Sequence, residues 1–191
     1  MLGDTTAQDA GRLTLNPIRH LDPFGTLLLV LTTFTGAAGF GWGKPVPVDG
    51  RALKWGRTGM AIVSGAGPLS NVIFAFVCAF GLRYSVDLGL GTTDGAASVG
   101  IDLLFRLIAL NVGLCVFNLL PIAPLDGFGV LFGVLPATLA YRLGWLGKYG
   151  PPILLVLVFS GSIIGFSLLS LILGPPTREL MRLVLGAAGL R

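Results

Sequence analysis

Three long apolar runs constrain this chain more than anything else in it. Gly59 to Leu82 holds 24 residues without a charge, Pro151 to Leu173 is uncharged throughout, and Val99 to Leu120 carries only Asp102 and Arg106. Those two lie four apart, the spacing at which opposite charges pair on a helix. A helix of about 20 apolar residues crosses the hydrocarbon of a bilayer. In water, runs of this length would have to be buried on every side, and the chain lacks the polar surface to do it. Only 12% of its 191 residues are charged and 53% are hydrophobic, with a mean hydropathy of +0.85, against about 25% charged in soluble domains. The low charge excludes disorder, glycine has no three-residue period, and two cysteines cannot make a disulfide scaffold. The fold class that remains is an all-α integral membrane protein, a polytopic helical bundle.

Between and around the spans the sequence divides into three parts. Residues 1–23 form a polar opening punctuated by Asn16-Pro17 and Asp22-Pro23. Residues 24–173 form the membrane-embedded domain, with spans expected at about 59–82, 99–120 and 151–173. Residues 174–191 read as an amphipathic tail, with Leu180, Leu183 and Val184 opposite Arg178, Glu179 and Arg182; surface attachment is its plainest role. The run from Phe24 to Trp42 has span length but holds Thr32, Thr33, Thr35 and four glycines. It reads equally as a helix or as a re-entrant or partly extended segment within residues 24–48. Phe128 to Ala140 is too short to cross and reads as interfacial or re-entrant.

The 13 Lys and Arg residues lie in short clusters between the runs, a topology signal that carries no indication of nucleic-acid binding. Gly43 to Arg57 is the most basic loop, Arg83 to Ser98 is acidic on balance, and Pro121 to Gly150 is basic again. The positive-inside rule therefore places the first and third in the cytoplasm of a multi-pass cell-membrane protein, with Asp126 near that face.

Asn118 to Gly127, the segment NLLPIAPLDG, contains an ionisable residue at a break in a span. Two prolines end or kink the helix, and the carbonyls they free are tolerated at membrane depth only inside protein or a wet cavity. A carboxylate there is costly unless it meets a cation or partner, which makes Asp126 a candidate site; an ordinary interfacial turn is the alternative on physical grounds. Gly67-Pro68-Leu69-Ser70-Asn71 is a second irregularity, with a proline opening the ladder and an amide that needs a partner in lipid. Chemistry elsewhere is limited by scarcity. The only histidine is His20 and the only glutamate Glu179, while Cys78 and Cys115 sit in apolar runs as packing residues. Gly129 to Gly133 and Gly161 to Gly165 match the small-xxx-small spacing, but 29 glycines make such matches common by chance.

These motifs together resemble the site-2 protease family of membrane-embedded zinc metalloproteases. Asn118 to Gly127 is similar to its NxxPxxPLDG element, with Ala123 where a proline is common, and Gly67 to Asn71 to its GPxxN element. The run Gly3-Asp4-Thr5-Thr6-Ala7, Gly11 to Pro17, His20 to Gly25 and Gly41 to Val48 resembles the opening of its bacterial branch. The resemblance extends from about Gly3 to Gly127.

The resemblance implies an enzyme that hydrolyses peptide bonds of membrane-associated substrates, with zinc as cofactor and Asp126 as a zinc ligand. It also implies an HExxH helix ahead of the Gly3 segment, whose two histidines and glutamate supply the other ligands and the base. That helix is absent from the 191 residues, so the expectation is a protease chain truncated upstream; a non-catalytic pseudoprotease that binds membrane peptides is the alternative. His20 falls on a loop histidine of the family run, where a structural hydrogen bond is its expected role. Asn71 and Asn118 are candidates for holding the substrate backbone or oxyanion, and an extended substrate would pair with the Lys44 to Val48 region. Membrane lipid and a membrane-protein or peptide substrate are the expected partners.

Overall fold

A computed structural model describes residues 3–14, 16–34, 41, 43, 44, 46–50, 52–90 and 95–190. The protein is 75% helical and has no strand among the described residues, so the all-α membrane class holds. In chain order the helices are α1 (Thr6–Asp9), α2 (Pro23–Phe34), α3 (Gly56–Asp87), α4 (Ala96–Asn118), α5 (Asp126–Val134), α6 (Ala137–Leu143), α7 (Trp145–Ile164) and α8 (Leu168–Ala187). A 3-10 turn at Pro17–His20 lies between α1 and α2. The chain divides into two units, Met1–Gly59 and Met60–Arg191.

The first unit is held by short-range polar contacts. Asn16 caps the 3-10 turn by accepting from the Ile18 amide at 3.1 Å, and Asp22 accepts from the Gly25 amide at 2.8 Å at the start of α2. Leu21 and Gly43 form an isolated antiparallel bridge. The region expected to pair with an extended substrate, Lys44 to Val48, forms no strand among its described residues. The Phe24 to Trp42 run opens as the 12-residue α2. At 1.5 Å per residue that is about 18 Å, short of a bilayer core of about 30 Å. Residues 35–40 and 42 of the run lie outside the described residues.

The second unit is built on α3 and α4, the two helices among the described residues long and apolar enough to cross a membrane by themselves. α6 and the start of α7, bent by 47° at Gly144, make a third crossing if taken as one broken span. The expected helix over 151–173 is thus divided. α7 starts earlier, at Trp145, and the chain turns at Gly165, whose φ of 80° suits a residue without a side chain, before Ser167 caps α8.

Ala75, Cys78, Ala79 and Leu82 of α3 meet Ile108 and Val112 of α4 and Val184 and Ala188 at the end of α8 in the core. Small residues here let backbones approach, which is how helices associate in lipid, where apolar burial gives no preference for protein over acyl chain. Ile73, Phe74, Val77 and Phe80 on the same helix are exposed, the inside-out pattern of a helix whose other face meets lipid. The tail expected on the surface contributes Val184, which is fully buried. Cys78 and Cys115 are free and buried, as their apolar surroundings implied.

Candidate functional site

The break after α4 is closed by its own turns. Pro121 and Pro124 have no amide to donate, and the amides of Leu120, Ile122 and Leu125 around them bond locally: Leu120 to the Phe117 carbonyl at 3.1 Å, Ile122 to Leu120 at 2.8 Å and Leu125 to Ile122 at 2.9 Å. The Ala123–Pro124 peptide is cis. Gly127 is buried where any Cβ would overlap the Leu119 carbonyl and approach the Leu120 carbonyl at 2.5 Å, so only glycine lets α5 start this close to the end of α4. Ala123 and Gly127 are buried at the break, while Leu119, Pro121 and Pro124 stay exposed.

Two other helices enclose it. On α7, a Cβ at Gly150 would stand 2.5 Å from the Ala123 carbonyl oxygen and 2.8 Å from the Ala123 Cβ, and Gly147 lies against the Phe128 ring. On α3, Gly67 faces Asp126 so closely that a Cβ would lie 2.7 Å from Oδ2. One turn earlier Ser64 meets Gly129, and Gly65 leaves Val130 at ordinary contact distance. Pro68 removes the amide that would have bonded the Ser64 carbonyl, and the Ser70 hydroxyl donates to the Gly67 carbonyl at 2.7 Å. The two irregular elements found in the sequence are thus brought face to face. Ser64, Gly65, Gly129, Gly147 and Gly150 form the same seam; of these only Gly129 carried a sequence signal, as half of a small-xxx-small pair.

Asp126 is half-buried and has no hydrogen-bond or ion-pair partner among the described residues. It lies outside the candidate spans, and desolvation pushes its carboxyl above the usual carboxylate range. Asn71 follows Gly67 by one helical turn on the same side of α3, and Asn118 is the last residue of α4. Both are half-buried, and neither side chain is bonded among the described residues.

A catalytic zinc takes three protein ligands. The described residues contain no group of three His, Cys, Asp or Glu side chains able to hold a metal, so Asp126 fits one ligand position and these residues do not complete the set. His20 belongs to the first unit, where its Nε2 is 2.9 Å from the Thr14 carbonyl, the structural bond expected of it. Glu179 accepts from Arg182 at 2.6 and 2.7 Å on the exposed side of α8.

YwhC of Bacillus subtilis, which carries a provisional zinc metalloprotease name, is 44% identical over 156 residues, covering 81% of this chain and 68% of YwhC. Rip2 of Mycolicibacterium smegmatis, named in the same provisional way, is 34% identical over 131 residues, 68% of this chain and 46% of Rip2. No family model and no solved structure matches the chain. With identity this high spread over most of its length and over two thirds of YwhC, the chain belongs to the site-2 protease-like family.

Proposed function

We propose that this chain is the part of an intramembrane zinc metalloprotease of site-2 type that supplies its aspartate ligand and its substrate-side amides. The observation that carries the reading is the apposition of Asp126 and Gly67: a half-buried carboxylate with no partner among the described residues, held over a position of α3 that carries no side chain. A carboxylate in that position is stabilised by a cation. The provisional names of YwhC and Rip2 point to zinc as that cation. The two histidines and the glutamate of an HExxH helix are not among these 191 residues. Zinc, when bound, polarises the scissile carbonyl and activates a water at near-neutral pH.

The chain's own residues have three tasks in this reading. Asp126 presents its carboxylate from the first turn of α5, fixed by the close contacts of Gly127 with Leu119 and Leu120. Asn71 and Asn118 offer side-chain N–H groups to a substrate whose backbone has been unwound and has lost its own partners. The α3–α5–α7 seam fixes the break against its neighbouring helices.

The test is zinc content and cleavage of a membrane-anchored peptide reporter by the native protein. Asp126→Asn keeps the shape but removes the charge, and zinc affinity then falls by more than the 10–100-fold that loss of an outer-shell partner costs. Asn71→Ala keeps the zinc and loses cleavage by about 10²–10³-fold, the usual effect of deleting one oxyanion donor. Zinc content unchanged in Asp126→Asn, or full turnover in Asn71→Ala, refutes the corresponding assignment.

A further inference from the structure

The proteolytic reading leaves a basic cleft in the first unit without a role. A cavity of about 380 Å³ opens there, lined by Arg12, Arg19 and Lys44 together with Ile18 and Leu21. Backbone contacts bring the three cations together. Arg12 Nη1 donates to the Arg19 carbonyl at 2.6 Å, which ties the segment after α1 to the 3-10 turn. The Lys44 amide donates to the His20 carbonyl at 2.9 Å and Gly43 bridges to Leu21, which sets Lys44 against the end of the same turn. Gly11, at a φ of 63°, leaves room for the Arg19 guanidinium, which would lie 3.2 Å from a Cβ at that position.

None of the three cations forms an ion pair among the described residues. Three carboxylates of this unit accept hydrogen bonds elsewhere: Asp4 from Thr6 and the Asp49 amide, Asp9 from Thr5, Asp22 from the Gly25 amide. Three positive charges lining one cleft without a direct ion pair repel one another and focus a field that attracts an anion. Phosphate suits them, since a guanidinium presents paired donors to its oxygens.

The rim selects the kind of phosphate. Ile18, 74% exposed, and Leu21, 53% exposed, line the cleft itself, and α2, which follows in the same unit, also exposes Phe24, Leu27 and Leu31. A free phosphate ion would leave these apolar side chains in water, whereas a lipid covers them with its acyl chains while its headgroup fills the cleft. Lys44 also begins the most basic loop of the chain, which the positive-inside rule places at the cytoplasmic leaflet, where anionic lipids concentrate. We propose that the cleft formed by Arg12, Arg19 and Lys44 binds the phosphate of an anionic phospholipid.

Native mass spectrometry of the full chain in detergent, offered equal amounts of phosphatidylglycerol and phosphatidylcholine, tests this directly. Arg12 is left in place because its guanidinium holds the Arg19 carbonyl; the variants are Arg19→Gln and Lys44→Glu, with Arg142→Gln as a control outside the cleft. The wild type retains phosphatidylglycerol in preference, each cleft variant lowers that preference by about fivefold or more, and Arg142→Gln leaves it unchanged. Far-UV circular dichroism confirms that the variants keep their helices, and Arg19→Lys, which keeps charge and fold, retains a preference between those of wild type and Arg19→Gln. Equal retention of the two lipids, an equal loss in Arg142→Gln, or full displacement of phosphatidylglycerol by millimolar inorganic phosphate overturns the proposal; the last result makes this a site for free phosphate.

Discussion

Gly67→Ala separates the fold from the site. The added methyl would lie 2.7 Å from Asp126 Oδ2 and 3.6 Å from its Cγ, whereas ordinary contact begins at 3.4 Å. The carboxylate oxygen must therefore retreat by about 0.7 Å, since the methyl itself is fixed to the α3 backbone. Overpacking of this kind costs about 1–3 kcal/mol, and alanine in place of glycine within a helix returns about 1 kcal/mol. The net loss of stability is thus about 0–2 kcal/mol, and the protein still folds. Function is less tolerant, because metal ligands are held within about 0.2 Å and a displacement near 1 Å costs on the order of 100-fold in rate. Gly65→Ala is the matched control: its methyl meets Val130 Cγ2 at 3.8 Å, an ordinary contact, so it stabilises by up to about 1 kcal/mol and leaves the site alone. Thermal unfolding in detergent, followed by circular dichroism, measures the first effect; zinc content and reporter cleavage by the native protein measure the second. If Gly67→Ala keeps its zinc and full turnover, or Gly65→Ala loses as much, the placement of Asp126 over Gly67 is wrong.

Three further perturbations probe the surroundings. Gly150→Ala drives a methyl into the Ala123 carbonyl at 2.5 Å and the Ala123 amide nitrogen at 2.8 Å, backbone atoms that cannot rotate away, so the loss should reach about 3 kcal/mol in thermal unfolding; an unchanged midpoint would mean that α7 does not pack on the break. His20→Ala removes the contact with the Thr14 carbonyl and costs about 1 kcal/mol with zinc content unchanged, whereas lost zinc would make His20 a ligand. Asp4 is held below its usual value of 3.8, first by the Thr6 hydroxyl and amide and then by the Asp49 amide. A depressed folded value means that its contribution is fully present above 3.8 and disappears as pH falls through the lower folded value. Exchange protection of the Thr6 and Asp49 amides, relative to their intrinsic exchange rates, should therefore hold at neutral pH and fall only below pH 3.8, with the step abolished in Asp4→Asn.

Much of the candidate site could be read before the fold was known, for local reasons. Prolines at 121 and 124 must end a helix whatever surrounds them, and a carboxylate at such an end in an apolar chain needs a partner. Gly67-Pro68 marked the facing helix on the same grounds. The rest of the seam was not legible. Gly147 and Gly150 sit in a run whose glycines looked ordinary, and only the approach of α7 to Ala123 gives their missing side chains a purpose. The tail shows the same limit from the other side. Its amphipathic pattern suits a membrane surface as well as a helix bundle, and the deep burial of Val184 arises from contact with α3 and α4, which the pattern does not encode.

What the sequence determined by itself is what depends on solvent and on covalent geometry: membrane residence from charge-poor runs, helix ends from proline, the candidate carboxylate, and kinship with zinc metalloproteases from ordered motifs. What only the tertiary structure decided is which surfaces meet. Asp126 and Gly67 are 59 residues apart, and nothing local requires them to touch. Their apposition follows from the close approach of α3, α5 and α7, where glycine permits contact at distances any side chain would prevent. The basic cleft has the same origin, since Arg12, Arg19 and Lys44 converge through bonds from the Arg12 guanidinium and the Lys44 amide to carbonyls of the 3-10 turn, and charge spacing along the chain carries no record of those bonds.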